Sequence, residues 1–145
     1  MDPIAVKKLR PNAILPQYGS AEAAGADLCA CIDEPVTVKP GESLWVPTGI
    51  ALEVPKGCAG LVYARSGLSC KQDLAPANKV GVIDSDYRGE VVVVLHNHGT
   101  QSRRVEPGQR IAQLVITPVL TPEYQEVTEL SSSHRGTGGF GSTGS

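Results

Sequence analysis

Gly81-Val-Ile-Asp-Ser-Asp-Tyr-Arg-Gly-Glu-Val91 joins an apolar segment to a run of four valines through a short polar stretch. One serine separates the two acids, and a glycine precedes the return to apolar residues. This pattern predicts a β-hairpin whose loop holds a carboxylate in front of rigid strands. Asp84 is a candidate base partly shielded from water, and Tyr87 is a candidate platform for a ring or sugar. Asp-x-Asp before Gly is also common turn chemistry, so an ordinary turn remains the alternative.

The composition predicts a single all-β domain with an aliphatic core. A chain of 145 residues is long enough to bury such a core. Aromatic residues make up 4% of the chain, whereas valine occurs 16 times and isoleucine 7 times. Short apolar segments alternate with turns rich in Pro and Gly, at the spacing of a β-sandwich or jelly roll. The predicted strands include residues 36–38, 44–46, 50–54 and 59–64.

Charge and hydropathy give no reason to expect stable binding to nucleic acid or to a membrane. The formal net charge is -2, which provides no basic surface for a polyanion. No apolar run is long enough for a signal peptide or a spanning helix, so we expect an intracellular, cytoplasmic protein. In that compartment the four cysteines are expected to be reduced thiols, not disulfides or a metal site.

The segment Arg65-Ser-Gly-Leu-Ser69 follows a predicted strand and has the composition of an anion site. Ser66 is predicted to cap a short helix. The free N–H groups after it, together with the Arg65 guanidinium, would form a pocket suited to phosphate. An ordinary capped turn would have a similar sequence, so this alternative stays open.

Two polar side chains lie in otherwise apolar strands. Asp27 is the only acid in its segment, and it needs turn hydrogen bonds, an arginine or a hydrated cation as a partner. Gln113 is predicted to share a strand face with Ile111 and Val115. Its amide must therefore find a polar partner in the core or in a ligand. Gly25 would allow close approach of the backbone near Asp27.

The C-terminal residues 131–145 are rich in Gly, Ser and Thr and lack a core-forming pattern. A linker or a frayed tail has this composition. A flexible lid is the alternative, because the backbone N–H groups could wrap phosphates while Phe140 stacks on a base.

Five segments occur in an order that is more specific than any one of them. They are Ala24-Gly-Ala-Asp-Leu28, Arg65-Ser-Gly-Leu-Ser69, Gly81 to Val91, Gly108-Gln-Arg-Ile-Ala-Gln-Leu114 and Arg135 to Gly144. In this order they resemble the five motifs of the trimeric deoxyuridine triphosphatase (dUTPase) family. The resemblance covers nearly the whole chain.

The resemblance implies a single-domain, distorted jelly-roll β-barrel that assembles as a homotrimer. Each of its three active sites would be built from three subunits. Residues 1–130 would form the jelly-roll domain. Residues 131–145 would form a flexible, glycine-rich arm that closes over the active site of a neighbouring subunit.

The resemblance also implies an enzyme, a dUTP diphosphatase, that hydrolyses dUTP to dUMP and pyrophosphate. Such an enzyme keeps uracil out of DNA and supplies dUMP for thymidylate synthesis. Mg²⁺ would be held mainly by the triphosphate, and Asp27 would act on it indirectly, through water, or through Arg65. The residues are consistent with this chemistry, because phosphoanhydride hydrolysis needs an aligned water, a base and cations, not a covalent nucleophile.

Residues in all five segments receive roles from the resemblance. Asp84 would activate the water that attacks the α-phosphorus, and Gln113 would lie near that water. Tyr87 would leave no space for a 2′-hydroxyl, and Phe140 would stack on uracil. The full set of uracil- and deoxyribose-binding residues would be Asn78, Gly81, Ile83, Tyr87 and Phe140. The phosphate-binding residues would be Arg65, Ser66, Gly67, Gln113, Arg135, Gly141, Ser142 and Thr143.

Two other functions would fit the same scaffold. A dCTP deaminase shares the fold but uses a glutamate at the central site, whereas this chain has Asp84 with Tyr87. A catalytically silent member would serve as a nucleotide sensor or a protein-binding module. One departure from the family pattern is Lys79, which follows Asn78 where a smaller or apolar residue is expected.

Overall fold

The structure is a computed structural model that describes residues 1–144, and it is built from short β-strands with a single short helix in those residues. In chain order the elements are β1 (Val6–Lys8), β2 (Gln17–Tyr18), β3 (Ala26–Cys29), β4 (Val36–Val38), β5 (Ser43–Pro47), β6 (Ile50–Leu52), β7 (Cys58–Tyr63), α1 (Ser66–Lys71), β8 (Leu74–Pro76), β9 (Gly81–Ile83), β10 (Val92–Asn97), β11 (Arg103–Val105) and β12 (Arg110–Pro118). The all-β prediction is confirmed. No helix in the described residues has the length and hydropathy needed to cross a membrane.

The strands form four antiparallel sheets. The largest has the order β2-β3-β12-β7-β9, and a second has the order β5-β10-β8. Two further pairs, β1 with β6 and β4 with β11, complete the set among residues 1–144. Strand β12 is the longest element and pairs with β3 on one side and β7 on the other. This pairing places Gln113 opposite both Asp27 and Tyr63.

The segment 84–91 does not form the loop of the predicted β-hairpin. Strand β9 pairs with β7 in the largest sheet, whereas β10 pairs with β5 and β8 in another sheet. The hairpin prediction is therefore wrong. A polar stretch between two apolar runs indicates two strands, but the partners of those strands are chosen by contacts distant in sequence. Residues 84–91 instead cross from one sheet to the other.

The core is aliphatic, as the composition predicts. Val46, Ile50, Leu95, Val105 and Ile111 are completely buried. Each such side chain contributes roughly 1.5–3 kcal/mol to folding relative to an exposed one. Burial in β10 alternates with the period of two that a strand with one inward face requires.

Asn97 is a buried polar residue at the end of β10 whose side-chain nitrogen and oxygen both form hydrogen bonds. Its Nδ2 donates to the carbonyl oxygens of Val38 at 2.9 Å and Gln101 at 2.8 Å. Its Oδ1 accepts a bond from the Gly99 N–H at 3.0 Å. One side chain thus ties β10 to β4 and shapes the following turn.

Replacing Asn97 with Ala is expected to lower the free energy of unfolding by on the order of 3 kcal/mol, because two carbonyl oxygens, one of them in a buried hydrogen bond, and one N–H lose their partners. The urea midpoint measures the loss. Ser102→Ala, an exposed change in the same turn region, is the matched control. Equal midpoints for the two variants would contradict this role for Asn97.

Candidate active site

A cavity of about 350 Å³, here called the loop cavity, lies beside the segment that crosses between the sheets. Its lining includes Asn78, Gly81, Ile83, Asp84 and Tyr87. These are all the predicted uracil- and deoxyribose-side residues outside the C-terminal arm, together with the predicted base. The structure therefore brings this part of the predicted site together.

Tyr87 is held flat by its own loop. Its hydroxyl donates to the Glu90 carbonyl oxygen at 2.8 Å. A β-carbon at Gly89 would lie 2.5 Å from that hydroxyl oxygen, so only glycine leaves room for the ring. Tyr87 is 45% exposed, so its aromatic side chain is accessible to a ligand.

Asp84 is exposed in the chain, so the prediction of a partly shielded carboxylate is wrong for the single subunit. The residue directly follows β9 at the point where the chain leaves the sheet, and the preceding Ile83 is buried. Its carbonyl oxygen accepts a turn hydrogen bond from the Tyr87 N–H at 3.2 Å. The apolar approach ends at the sheet edge and leaves the carboxylate in the open mouth of the cavity.

Lys79 does not intrude on the loop cavity. It adopts a left-handed backbone with φ of 65°, its N–H donates to the Pro76 carbonyl oxygen at 3.0 Å, and its side chain is exposed. The lining of the cavity includes neighbouring Asn78 but not Lys79. The departure from the family pattern therefore leaves the cavity wall intact.

Trp45 is a lining residue that sequence reasoning missed. It belongs to β5, its side chain is 73% exposed, and it stands at the rim of the loop cavity. The available sequence signal was that Trp45 is the one tryptophan of the chain. Only the pairing of β5 with β10 brings it to the cavity.

A second cavity of about 210 Å³, here called the basic cavity, gathers the other predicted group. Its lining consists of Gly19, Ala23, Gly25, Asp27, Arg65, Ser66, Gly67, Arg110 and Gln113. It shares no lining residue with the loop cavity. Two guanidinium groups against one carboxylate give it an excess of positive charge, which suits an anionic ligand.

Asp27 finds the arginine partner that its apolar surroundings demand. Arg65 Nε donates to Asp27 Oδ1 at 2.8 Å, and Arg110 Nη1 lies 3.5 Å from Asp27 Oδ2. The Asp27 side chain is 16% exposed, so the pair with Arg65 is largely protected from water. The carboxylate thereby fixes the Arg65 guanidinium at the wall of the basic cavity.

Arg110 lies in this cluster because of a β-bulge. The register of β12 against β3 shifts between Arg110 and Ala112, so Ile111 and Ala112 are both buried. The shift also separates Ile111 from the face of Gln113, so the prediction that these two residues share a face is wrong. Arg110 and Gln113, which a regular strand would place on opposite faces, line one cavity.

Gln113 anchors its amide nitrogen within the chain. Its Nε2 donates to the Ala64 carbonyl oxygen at 2.9 Å. Gly25 packs directly on it, because a β-carbon at Gly25 would lie 2.5 Å from Gln113 Oε1. The predicted close approach at Gly25 is confirmed, and it orients the amide beside Asp27.

Ser66 begins α1 and does not cap it. The N-cap residue is Arg65, and no side-chain hydrogen bond caps the helix. The N-cap prediction is therefore wrong by one residue, because the Arg65 backbone is still extended as it leaves β7. Ser66 and Gly67 remain exposed and line the basic cavity, where a hydroxyl and backbone N–H groups can meet an anion.

The C-terminal arm is not brought to either cavity. The five predicted arm residues, which line neither of them, are Arg135, Phe140, Gly141, Ser142 and Thr143. Phe140 is fully exposed, and Arg135 Nε donates to the carbonyl oxygen of nearby Gly138 at 2.6 Å. Residue 145 lies outside the described residues. In one chain the predicted site residues therefore occupy three separate places.

The chain does not build a metal cage in the described residues. Among residues 1–144, no three His, Cys, Asp or Glu side chains are grouped to hold an ion. Asp27 is the one carboxylate in the basic cavity, and both of its oxygens face arginines. This donor set fits a Mg²⁺ ion carried by substrate phosphates, because Mg²⁺ needs few protein ligands when phosphate oxygens and water supply the rest.

Cys29 lies behind this cluster as a protonated, buried thiol. Burial raises the pKa of the Cys29 thiol, the Asp27 carboxylate raises it further, and Arg110 and Arg65 oppose that rise. A thiol with a raised pKa is a poor metal ligand at neutral pH. All four cysteines are free.

An exposed carboxylate beside an aromatic platform, with a basic cavity elsewhere on the chain, suits a protein that binds a phosphorylated ligand. The dUTPase family model matches residues 11–144. The chain belongs to the dUTPase family.

Curated relatives extend the match over the whole chain. A deoxyuridine 5'-triphosphate nucleotidohydrolase of an Anaeromyxobacter species is 53% identical over 98% of this chain and 99% of its own. That of Desulfitobacterium hafniense is 50% identical over 90% of this chain and 87% of its own.

Solved structures of dUTPases are similar to this chain. The dUTPase of Staphylococcus bacteriophage 80alpha with dUpNHpp superposes with a TM-score of 0.91 at 33% identity, covering all of both chains. A variant dUTPase of phage phi11 of S. aureus, whose structure describes coordination of a structural Mg(II) ion, has a TM-score of 0.82 at 27% identity over 90% of this chain and all of its own.

Replacing Gly25 with Ala is expected to displace the Gln113 amide from the Ala64 carbonyl and lower the free energy of unfolding by about 1–3 kcal/mol. Denaturant titration measures the change. Gly19→Ala is the matched control, because a β-carbon there meets nothing within 4 Å. If the two variants were equally stable, the contact between Gly25 and Gln113 would not constrain the strand.

Proposed function

We propose that this protein hydrolyses dUTP to dUMP and pyrophosphate. The observation that carries the proposal is the family match over residues 11–144, which includes every motif and the arm. The loop cavity and the basic cavity supply the groups that the reaction needs. We place the activity in the cytoplasm, where it would keep uracil out of DNA and supply dUMP, without stable nucleic-acid or membrane partners.

We further propose that the active unit is a homotrimer of jelly-roll subunits. The separation of the predicted site residues supports it: the two cavities share no lining residue, and the arm touches neither. Residues 1–130 would form the domain and residues 131–145 the arm. If the loop cavity of one subunit faces the basic cavity of a second and a third supplies the arm, each site becomes complete.

The segment before the arm has the exposed apolar side chains expected of a chain end that packs on a neighbouring subunit. Leu120, Tyr124 and Leu130 lie in this segment, and about nine-tenths of each side chain is exposed. Apolar side chains in solvent gain free energy when a second surface covers them. A neighbouring subunit would provide that surface.

In the proposed mechanism Asp84 accepts a proton from the attacking water. The water oxygen bonds to the α-phosphorus, the bond from that phosphorus to the bridging oxygen breaks, and pyrophosphate leaves. Gln113 lies near the water and orients it. Enclosure between subunits would give Asp84 the shielding that the single chain lacks, and a base works best when bulk water is excluded.

Binding would divide among the two cavities and the arm. Asn78, Gly81 and Ile83 would contact uracil, Tyr87 would pack on the deoxyribose, and Phe140 of an arm would stack on the base. The phosphate contacts would come from Arg65, Ser66, Gly67, Gln113, Arg135, Gly141, Ser142 and Thr143. Mg²⁺, when bound to the triphosphate, offsets its negative charge, and Asp27 would act on it only through water.

The experiment that tests the proposal measures pyrophosphate release from dUTP, dTTP, dCTP and UTP, with Mg²⁺ and then with chelator. Turnover of dUTP alone is expected. Release of ammonia from dCTP would indicate a deaminase. Tight dUTP binding without turnover would indicate a nucleotide sensor.

Asp84→Asn is expected to keep dUTP affinity while lowering kcat about 100-fold or more, because an amide cannot accept the water proton. Steady-state kinetics and calorimetric titration with a non-hydrolysable dUTP analogue measure the two properties. Asp86→Asn in the same loop is the control, since Asp86 does not line the loop cavity. A wild-type kcat for Asp84→Asn would remove Asp84 as the base.

Deleting residues 131–145 is expected to leave the trimer intact and to reduce turnover strongly, because the segment forms no strand or helix in its described residues and the deletion removes Phe140 and Arg135. Light scattering measures the assembly, and pyrophosphate release measures activity. Unchanged turnover would mean that the segment is only a tail.

A further inference from the structure

The loop that carries Asp84 and Tyr87 is held unevenly. Because the chain crosses between sheets here, no strand ladder holds residues 84–89. The far end is well fastened: the Glu90 carboxylate accepts a bond from the Gly49 N–H at 3.0 Å, and the Val91 N–H bonds to the Ile50 carbonyl oxygen at 2.9 Å. Apart from the turn hydrogen bond from the Tyr87 N–H to the Asp84 carbonyl oxygen, the part next to Asp84 is held by side-chain contacts.

Arg88 supplies those contacts. Its Nη1 donates to the carbonyl oxygen of Ser85 at 2.8 Å and to that of Tyr87 at 3.1 Å. Its Nε lies 3.7 Å from Glu53 Oε1, just beyond the end of β6. A planar, always-charged guanidinium can hold two carbonyls and face a carboxylate at once, and charge-assisted bonds of this kind are the stronger ones.

Arg88 lies on the other side of the loop from the substrate-side residues. It is absent from the lining of the loop cavity. Together with Ser85, Asp86 and Glu53 it lines a different cavity, beside the N-terminal segment. It therefore touches the loop that carries the predicted base without facing the space that substrate would occupy.

The exposure of the Arg88 and Glu53 side chains indicates how much their ion pair contributes to the stability of the fold. The Arg88 and Glu53 side chains are 55% and 61% exposed. An ion pair in that setting contributes little to stability. Loss of Arg88 is therefore expected to alter the loop and leave the fold intact.

We infer that Arg88 is a positioning residue for the hydrolysis, which holds the Ser85 and Tyr87 carbonyls so that the Asp84 carboxylate meets the attacking water at the right place. The inference rests on the proposed function. Neither the sequence pattern nor the family resemblance assigned Arg88 a role.

The test compares Arg88→Ala with Arg104→Ala in the full-length protein. Arg104 is a matched control, because its Nε forms an exposed ion pair with Glu106 Oε1 at 3.0 Å on another sheet. For Arg88→Ala we expect kcat to fall about tenfold to a hundredfold and KM for dUTP to stay within about threefold. Its melting temperature should stay within about 2 °C of wild type. Arg104→Ala should match wild type throughout.

Chemical rescue gives a readout that a merely structural role would not move. Guanidinium chloride at a non-denaturing concentration should restore part of the kcat of Arg88→Ala, because the free cation can occupy the vacated place. Ammonium chloride should not, and guanidinium should not rescue Asp84→Asn. Arg88→Lys should recover only part of kcat, since an ammonium is a point charge without the planar fork.

The outcomes separate the two proposals. An inactive wild-type protein overturns the proposed function and this inference with it. An active wild type with an equally active Arg88→Ala overturns the inference alone. A rise in KM at constant kcat would also overturn the inference, because it would mean that Arg88 binds substrate. A loss of kcat that accompanies a lowered melting temperature and is not rescued by guanidinium would overturn it as well.

Discussion

The pairing of strand β12 with its two neighbours holds the largest sheet together and positions the basic cavity. This strand lies in the middle of the largest sheet, and its pairing with β3 and β7 places Gln113 beside Asp27 and next to the chain that leads into Arg65. Its bulge is equally important, because it turns Arg110 to the same side as Gln113. A regular strand would have left a single arginine facing Asp27. The positive charge of the basic cavity therefore results from an irregularity in the strand at the centre of the sheet.

The crossing segment 84–91 presents the Asp84 carboxylate although no strand pairing holds this part of the chain. Gly89 lets the Tyr87 ring lie on the backbone, and the Tyr87 hydroxyl bonds to the next turn of the loop. Arg88 holds the part of the loop next to Asp84 through the Ser85 and Tyr87 carbonyl oxygens. Rigidity comes from local side-chain bonds at positions that a hairpin would have held by backbone pairing. Such a loop is sensitive to single substitutions that leave the core untouched.

The predicted site residues of one chain are divided among two cavities and an arm, and each of these places is open to solvent. Each cavity is open and shallow, and Asp84 is exposed, so one chain can neither exclude water nor surround a triphosphate. Association of subunits would cover the exposed apolar side chains of the segment before the arm and enclose the carboxylate in the same step. Assembly and catalysis would then depend on the same contacts, which ties activity to protein concentration.

The strand content, the aliphatic core, the close approach at Gly25 and the residue set that places the chain in its family could all be predicted from the sequence. These follow from local rules: β-branched runs alternate with Pro and Gly turns, and an acid in an apolar strand, such as Asp27, needs a polar partner. Four features could be seen only in the folded chain: β9 and β10 belong to different sheets, a bulge turns Arg110 toward Gln113, Trp45 reaches the loop cavity, and Asp84 stays exposed. The physical reason is that a side-chain pattern specifies which face of a strand is buried, whereas the choice of partner strand is made by contacts between residues far apart in the chain.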